Sequence, residues 1–548
     1  MELTPSAHLD TFARDHLPPA GQWPVLLSAP AELPELRYPD RLNCAAELLD
    51  RTAERFGAGR TAFRDGAGGV WTYGQLRAQV DGIAHVLTSE LGVVPGNRVL
   101  LRGPTTPWLA ACWLAVLKAG GVAVTVLAQQ RPGELATICE IAQVSHALCD
   151  VRSVDGLTKA QVPGLRVVTY GGQAPDDLLH RAAAMPERYE AVATAADDVA
   201  LIAFTSGTTG RPKGCMHFHR DVLIVADTFS RHVLRPSADD LFAGSPPLGF
   251  TFGLGGLVIF PLRAGASALL LEQAHPKQLL AAVARERVSV LFTAPTAYRV
   301  MLDELGSASY DISSLRRCVS AGENLPAATW QAWRELTGLD IINGIGATEL
   351  LHIFVSAADE AIRPGTTGVP VPGWQARVVD TDGVPVPDGE PGLLAVRGPL
   401  GCRYLADARQ LEYVRDGWNL TGDTYVREAD GYLRYVARAD DMIISAGYNV
   451  PGPQVEEALL AHPDVMEAAV VGRPDELRGR VVAAYVVLRE GVERGDAAAS
   501  ALREFVAERL VPYKCPREIT FLDTLPRTPT GKLQRFRLRD HVPGQALK

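Results

Sequence analysis

One short stretch constrains this chain more than any other: Phe204-Thr205-Ser206-Gly207-Thr208-Thr209-Gly210-Arg211-Pro212-Lys213-Gly214. It follows an apolar run, Val199 to Phe204, that reads as a buried parallel strand. A strand that opens into a loop of glycines and hydroxyl residues builds an anion site. The glycines let the backbone approach closely, and successive N–H groups form a nest for phosphate oxygens. Ser206, Thr208 and Thr209 add hydroxyl donors, and Lys213 adds a positive charge. The spacing is not that of a nucleotide-kinase loop, because Gly210 is followed by Arg-Pro rather than by Lys and a hydroxyl residue.

At 548 residues the chain is too long for one core, so two or more domains are expected. A hydrophobic content of 47% and a charged content of 21% are ordinary for a globular protein. The net charge of −9 argues against a broad cationic face for nucleic acid, though not against a local pocket for phosphates. The eight cysteines are scattered, with no zinc-ligand or thioredoxin spacing. Reduced thiols and a cytoplasmic location are therefore expected. The N-terminus has no basic region leading into an apolar run, and no uncharged apolar stretch is long enough to span a membrane.

Strands and helices alternate from about residue 60 to 360. Thr72 to Gln75 has the form of a capping box, and Leu76, Val80, Ile83, Ala84 and Leu87 follow at helical spacing, with Gly92 as a stop. Arg98–Leu101 and Val122–Leu127 read as strands around a helix at Trp108–Leu117. This βαβ rhythm predicts parallel sheets covered by helices, with ligands beyond the C-terminal strand ends. After residue 365 the segments become short and β-type, as at Gln375–Val379 and Gly392–Val396, and suggest a small barrel-like β unit. Beyond Arg438 an α+β pattern begins, with helices at Gln454–His462 and Ala497–Leu510 and strands at Ala468–Val471, Val481–Leu488 and Glu518–Leu522. The expected fold class is α/β, with a large domain over residues 1–438 and a small mobile α+β domain over residues 439–548.

Four further segments carry chemistry. Asn343-Gly-Ile-Gly-Ala-Thr-Glu349 ends in a carboxylate, and a carboxylate facing a triphosphate is a natural Mg²⁺ ligand. Trp418-Asn-Leu-Thr-Gly-Asp423 places a short carboxylate after a tight glycine, where it can accept two ribose hydroxyls. Ala437-Arg438-Ala-Asp440-Asp441 precedes Ser445-Ala-Gly447-Tyr-Asn. Pro526-Arg-Thr-Pro-Thr-Gly-Lys532 puts one lysine in a Gly- and Pro-flanked turn near the C-terminus.

In this order, the five motifs resemble those of the adenylate-forming superfamily of acyl-CoA synthetases, aryl-CoA ligases, luciferases and peptide-synthetase adenylation domains. The resemblance spans nearly the whole chain. It implies ATP, Mg²⁺ and coenzyme A as cofactors or co-substrates. It assigns nucleotide contacts to Thr205, Ser206, Gly207, Thr208, Thr209, Gly210 and Lys213, with Gly322, Glu323, Asp423 and Arg438. It gives Glu349 the metal and Thr348 the α-phosphate. Lys532 would bridge the attacking carboxylate and the α-phosphate, Asp440 would be the pivot between domains, and Gly447 would line the pantetheine tunnel. Three departures stand out: Ile345 where an aromatic residue is usual, Asn419-Leu420 where Phe-Arg is commoner, and Ala437 where glycine is usual.

The acyl pocket most resembles that of benzoate- and 2-aminobenzoate-CoA ligases. Pro247-Leu-Gly-Phe250-Thr251-Phe252-Gly-Leu-Gly255, Ser320-Ala321-Gly322-Glu323, and Gly344-Ile345-Gly346 with His352-Ile353 suggest a short, flat, apolar slot. The resemblance places His219 beside the acyl carboxylate, with His217 as a neighbour. Benzoate, 2-aminobenzoate, salicylate or another aryl acid would fit. Transfer to a carrier-protein phosphopantetheine rather than to free CoA, and a medium-chain acyl substrate, remain open alternatives.

Overall fold

The computed structural model describes residues 3–28, 31–206, 211–445, 448–475, 479–527 and 533–539. Gly207, Thr208, Thr209, Gly210, Gly447 and Lys532 lie outside the described residues, as do the side chains of Ser206 and Asp440.

Two sheets build the large domain. The first has six strands in the spatial order Arg166–Tyr170, His146–Asp150, Arg98–Arg102, Val122–Thr125, Val199–Ser206, Pro212–Phe218. All pairings are parallel except the last, where the strand before the glycine loop and the strand after it form an antiparallel hairpin. The second has nine strands. Its parallel centre runs from Ile341–Gly346 through Arg317–Ser320, Val290–Thr293, Leu241–Gly244 and Ser267–Leu270 to Thr61–Asp65, and antiparallel strands close both edges. Central strands such as Arg98–Arg102 and Val122–Thr125 are buried throughout, as expected where helices cover both faces.

Local chemistry sets the helix boundaries. Thr72 Oγ1 accepts from the Gln75 N–H at 3.1 Å and Gln75 Oε1 accepts from the Thr72 N–H at 2.8 Å, completing the expected capping box. The helix Tyr73–His85 continues through Glu90, and Gly92 then turns the chain at φ +70°. Pro107–Lys118 is apolar on nearly all sides and is buried against Tyr73–His85.

An antiparallel sheet follows, formed by Gln375–Val379, Pro391–Arg397, Val414–Arg415, Trp418–Arg427 and Leu433–Arg438. The smaller C-terminal domain has a hairpin, Met442–Ser445 with Tyr448–Pro451, and a three-stranded sheet of Val465–Asp475, Gly479–Leu488 and Glu518–Phe521. The helices Gly452–Leu460 and Asp496–Ala507 accompany them.

One segment ties the hairpin of the first sheet to the later β unit. Residues 402–405 run antiparallel beside strand Pro212–Phe218, with Met216 N–H donating to Arg403 O and Leu405 N–H to Gly214 O, both at 2.8 Å. The Arg403 side chain is wholly buried, and its Nη1 donates to Asp221 Oδ2 at 2.8 Å. The same oxygen accepts from the Phe218 N–H at 2.9 Å, and the guanidinium lies 3.9 Å from the Phe218 ring centre. Removing one partner of such a pair strands a charge in the interior. Arg403→Met should therefore destabilise the large domain by about 3–5 kcal/mol. Adding Asp221→Asn should recover part of that loss, because the stranded charge is gone and an acceptor for Phe218 remains. Denaturant unfolding of the two variants beside the parent measures both effects, and a parental midpoint for Arg403→Met would refute the assignment.

Candidate active site

The hairpin that carries the glycine loop brings Lys213 to the second sheet. Lys213 pairs with Thr205 across the hairpin and Ser206 with Pro212, so both ends of the loop are held by sheet backbone. From the second sheet, strand Ile341–Gly346 leads into a short 3₁₀ turn, Thr348–Leu350. Glu349 is buried there, and its Oε1 lies 3.6 Å from Lys213 Nζ. The Tyr404 hydroxyl joins the two. It accepts from Lys213 Nζ at 2.7 Å and donates to Glu349 Oε1 at 2.5 Å. Lys213 also faces the rings of Tyr404 and Tyr413, at 4.6 and 5.8 Å from their centres. His217 Nε2–H donates to Thr348 O at 2.9 Å, fixing the start of the turn.

The chain then reverses within three residues. Leu351 takes φ +63° and ψ −40°, and the His352 N–H bonds back to Leu350 O at 2.7 Å. This is a γ-turn with positive φ at a β-carbon-bearing residue, a strained arrangement of the kind that clusters at functional sites. It sends Glu349 toward Lys213 and His352 into an aromatic cluster. The rings of Phe260, Phe252, Phe229 and Phe292 lie 4.5, 5.6, 5.7 and 6.4 Å from the His352 ring centre. Gly255 makes room for it, since a Cβ there would come within 2.2 Å of His352 Cδ2. Gly344 does the same for Ile353, with a Cβ at 2.7 Å from its side chain, and a Cβ on Gly346 would meet His352 O at 2.8 Å.

Thus Phe252, Gly344, Gly346, His352 and Ile353 pack into one cluster. Thr251 is buried beside Phe252, while Ala321, Phe250 and Ile345 belong to the same hydrophobic core. Burial lowers His352 to a pKa of about 3, so its imidazole is neutral near pH 7. Its Nε2 lies 3.4 Å from Phe252 O, a geometry that calls for Nε2–H and leaves Nδ1 as a lone pair without a hydrogen-bond partner among the described residues.

Asp423 and Arg438 also meet. They are opposite each other on neighbouring strands, with Arg438 Nη1 at 3.3 Å from Asp423 Oδ1. Arg438 Nη1 also donates to Thr421 O at 3.2 Å, and Gly422 between these two partners has φ +75°.

Two further residues of the expected set have partners away from Lys213 and Glu349. His219 is one of them. Its Nδ1 accepts from the Cys44 N–H at 3.2 Å and lies 3.1 Å from Cys44 Sγ, within a closed interior. Strand Pro212–Phe218 ends one residue earlier and His219 opens a helix, so strand alternation no longer aims its side chain toward Lys213. Glu323, next to Gly322 at φ +91°, turns its carboxylate to Thr296 and to Arg527 of the C-terminal domain, at 3.0 and 2.8 Å. Arg527 is held on its other side by Glu467 at 2.6 Å. Tyr404, Tyr413, Phe229, Phe260 and Phe292 carry no motif that would have marked them as part of the site.

Comparison with known proteins agrees with this geometry. The chain matches the family model described as AMP-binding enzyme over residues 49–404, and the one described as AMP-binding enzyme C-terminal domain over residues 454–532. It belongs to the AMP-binding enzyme family. It is 36% identical to the benzoate–CoA ligase of Thauera aromatica, over 92% of this chain and 97% of that protein. It is 34% identical to the 4-hydroxybenzoate–CoA/benzoate–CoA ligase of Rhodopseudomonas palustris, over 92% and 94%. Among solved structures it resembles the anthranilate CoA ligase AuaEII in complex with anthranoyl-AMP, with a TM-score of 0.87 and 32% identity over 92% of this chain and 97% of that one.

The buried histidine outside the site yields a pH prediction. Burial lowers His219 to a pKa of about 3, against 6.5 for an exposed imidazole. The unfolded chain therefore binds a proton that the folded chain excludes. The stability tied to this group is complete above pH 6.5 and declines as pH falls toward 3, at about 1.4 kcal/mol per pH unit. His219→Gln should flatten the fall in stability between pH 6.5 and 5 by one proton's worth. Unfolding midpoints across that range test this, and an unchanged slope would show that His219 is not held neutral.

Proposed function

We propose that this chain is an ATP-dependent aryl-CoA ligase. It adenylates an aromatic carboxylic acid with release of pyrophosphate, then transfers the acyl group to CoA with release of AMP. One observation carries the reading: a single tight turn places Glu349 against Lys213 and His352, three residues later, among four phenylalanine rings. Phosphate chemistry and an aryl-accepting wall are thereby joined on one backbone segment. The ligase activities of the relatives, on benzoate and 2-aminobenzoate (anthranilate), support the same class.

The attacking carboxylate and the α-phosphate are both anionic, so the site must neutralise charge. Lys213, the backbone of the glycine loop and Lys532 are assigned that task, with Thr208 and Thr209 as hydroxyl donors. Asp423 and Arg438 are assigned to the ribose, Thr348 to the α-phosphate and Gly322 to the adenine side. Glu349 suits Mg²⁺. No group of three or more acidic, His or Cys side chains gathers anywhere among the described residues, and one buried carboxylate is what Mg²⁺ needs when phosphate oxygens and water complete its shell. When bound there, the ion would withdraw charge from the triphosphate oxygens. The division at residues 438 and 439, with Asp440 as pivot and Gly447 on the thiol path, belongs to this proposal. Free CoA is the acceptor favoured here because the relatives above are CoA ligases, and loading of a carrier protein is the competing outcome.

Lys532→Ala should lower adenylate formation by about 10²-fold or more. Thioester formation from supplied acyl-adenylate and CoA should be largely retained. An equal loss in both half-reactions would refute a role for Lys532 in the first step alone.

The acid itself is addressed by His352. Its Nδ1 lone pair is an acceptor set in an otherwise apolar wall, which suits the amino group of 2-aminobenzoate. Benzoate would leave that acceptor unpaired, at about 1–3 kcal/mol or roughly 10- to 100-fold in kcat/KM. Kinetics with benzoate, 2-aminobenzoate, salicylate and hexanoate, with and without CoA, provide the test. Hexanoate as the best substrate would refute the aryl reading. Equal rates for benzoate and 2-aminobenzoate would keep the aryl reading and remove the amino preference.

A further inference from the structure

We propose that Tyr404 is a positioning residue for Glu349: its hydroxyl holds one carboxylate oxygen so that the other is presented to the metal that accompanies ATP. The inference rests on the ligase reading above and concerns a residue outside the five motifs. Its basis is the geometry at the meeting point of three chain segments. Tyr404 is wholly buried, and its ring is fixed by an edge-on contact with Tyr413 at 5.8 Å and by the backbone bridge to Cys215. The Arg403–Asp221 pair next to it anchors the segment. A phenol has one proton to give. Lys213 has only protons to give and Glu349 only lone pairs to offer, so the chain of donors runs from Lys213 to Tyr404 to Glu349 without ambiguity.

The arrangement has a consequence for ATP binding. Lys213 is attracted to incoming phosphates, and its 3.6 Å contact with Glu349 is loose enough to give up. The Tyr404 hydrogen bond to Glu349 is shorter, at 2.5 Å, and its donor carries no charge that phosphate would draw away. It therefore survives when Lys213 turns away. A glutamate released from both partners would regain rotamer freedom, and that entropy would be lost again on metal binding. A glutamate still held by Tyr404 is already ordered.

Tyr404→Phe deletes only the hydroxyl and keeps the ring face toward Lys213. The test titrates ATP into the protein by calorimetry without aryl acid, so that nothing turns over, once with excess Mg²⁺ and once with EDTA. The variant should bind ATP with Mg²⁺ about ten- to a hundredfold more weakly than the parent, the range for a hydrogen bond to a charged group. Its affinity for ATP in EDTA should match the parent's. Glu349→Gln should show the same selective loss, and Tyr404→Phe added to it should weaken Mg²⁺-dependent binding little further, because the two groups act as one. Equal weakening with and without Mg²⁺ would overturn the proposal and assign Tyr404 to Lys213. No weakening would also overturn it. A parent protein that binds ATP no tighter with Mg²⁺ than without would overturn the metal role of Glu349 and this proposal with it. A parent that binds no ATP at all would refute the ligase reading itself.

Discussion

The site depends on a contact that touches no substrate. The buried pair of Arg403 and Asp221 fastens residues 402–405 along the strand that leaves the glycine loop. That fastening puts Tyr404 beside Lys213, and Tyr404 in turn reaches Glu349 from the second sheet. Ion pairs of this kind are weak sources of net stability, because desolvation offsets most of the attraction. Their cost falls on alternatives instead: any packing that separates Arg403 from Asp221 leaves a charge in the core. The pair thus favours one placement of the later β unit against the first sheet.

Much of this arrangement was legible in the sequence, and the part that was not has a physical cause. Local signals were read well. The capping box at Thr72 and Gln75, the helix at Pro107–Lys118 and the strand at Gln375–Val379 depend on neighbours within a few residues, and they appear where periodicity placed them. The five motifs located Lys213, Glu349, Asp423 and Arg438, which the fold brings together in two pairs. Tyr404 and the rings of Phe229, Phe260 and Phe292 were invisible because their roles come from contacts across long sequence separations, which leave no local pattern. His219, which the resemblance put beside the acyl carboxylate, lies where the strand ends at Phe218 and a helix begins, and its imidazole meets Cys44.

The contacts between the two domains bear on motion. Arg527 meets Glu323 and Arg489 meets Asp303, in both cases across the interface and with partial exposure. Partly exposed ion pairs contribute about 0–1 kcal/mol each. Contacts of that strength guide an orientation without locking it. Glu323 is well placed for such guidance. It neighbours Gly322 and meets Arg527, five residues before Lys532 in the chain.

The turn from Glu349 to His352 explains how two incompatible environments share one strand end. Glu349 needs a polar setting in which its charge is matched by Lys213. His352 is kept neutral by a setting with almost no polarity. A regular strand would put residues three apart on opposite faces but hold them roughly 10 Å apart along its axis. The γ-turn at Leu351, with φ +63°, instead reverses the chain and gives each residue its own side. Backbone strain of about 1–3 kcal/mol at that residue is the cost. It is borne because Leu351 is itself buried and the His352 N–H to Leu350 O bond closes the turn. The boundary in the protein thus lies within four residues, between a carboxylate matched by a lysine and an imidazole packed among phenylalanine rings.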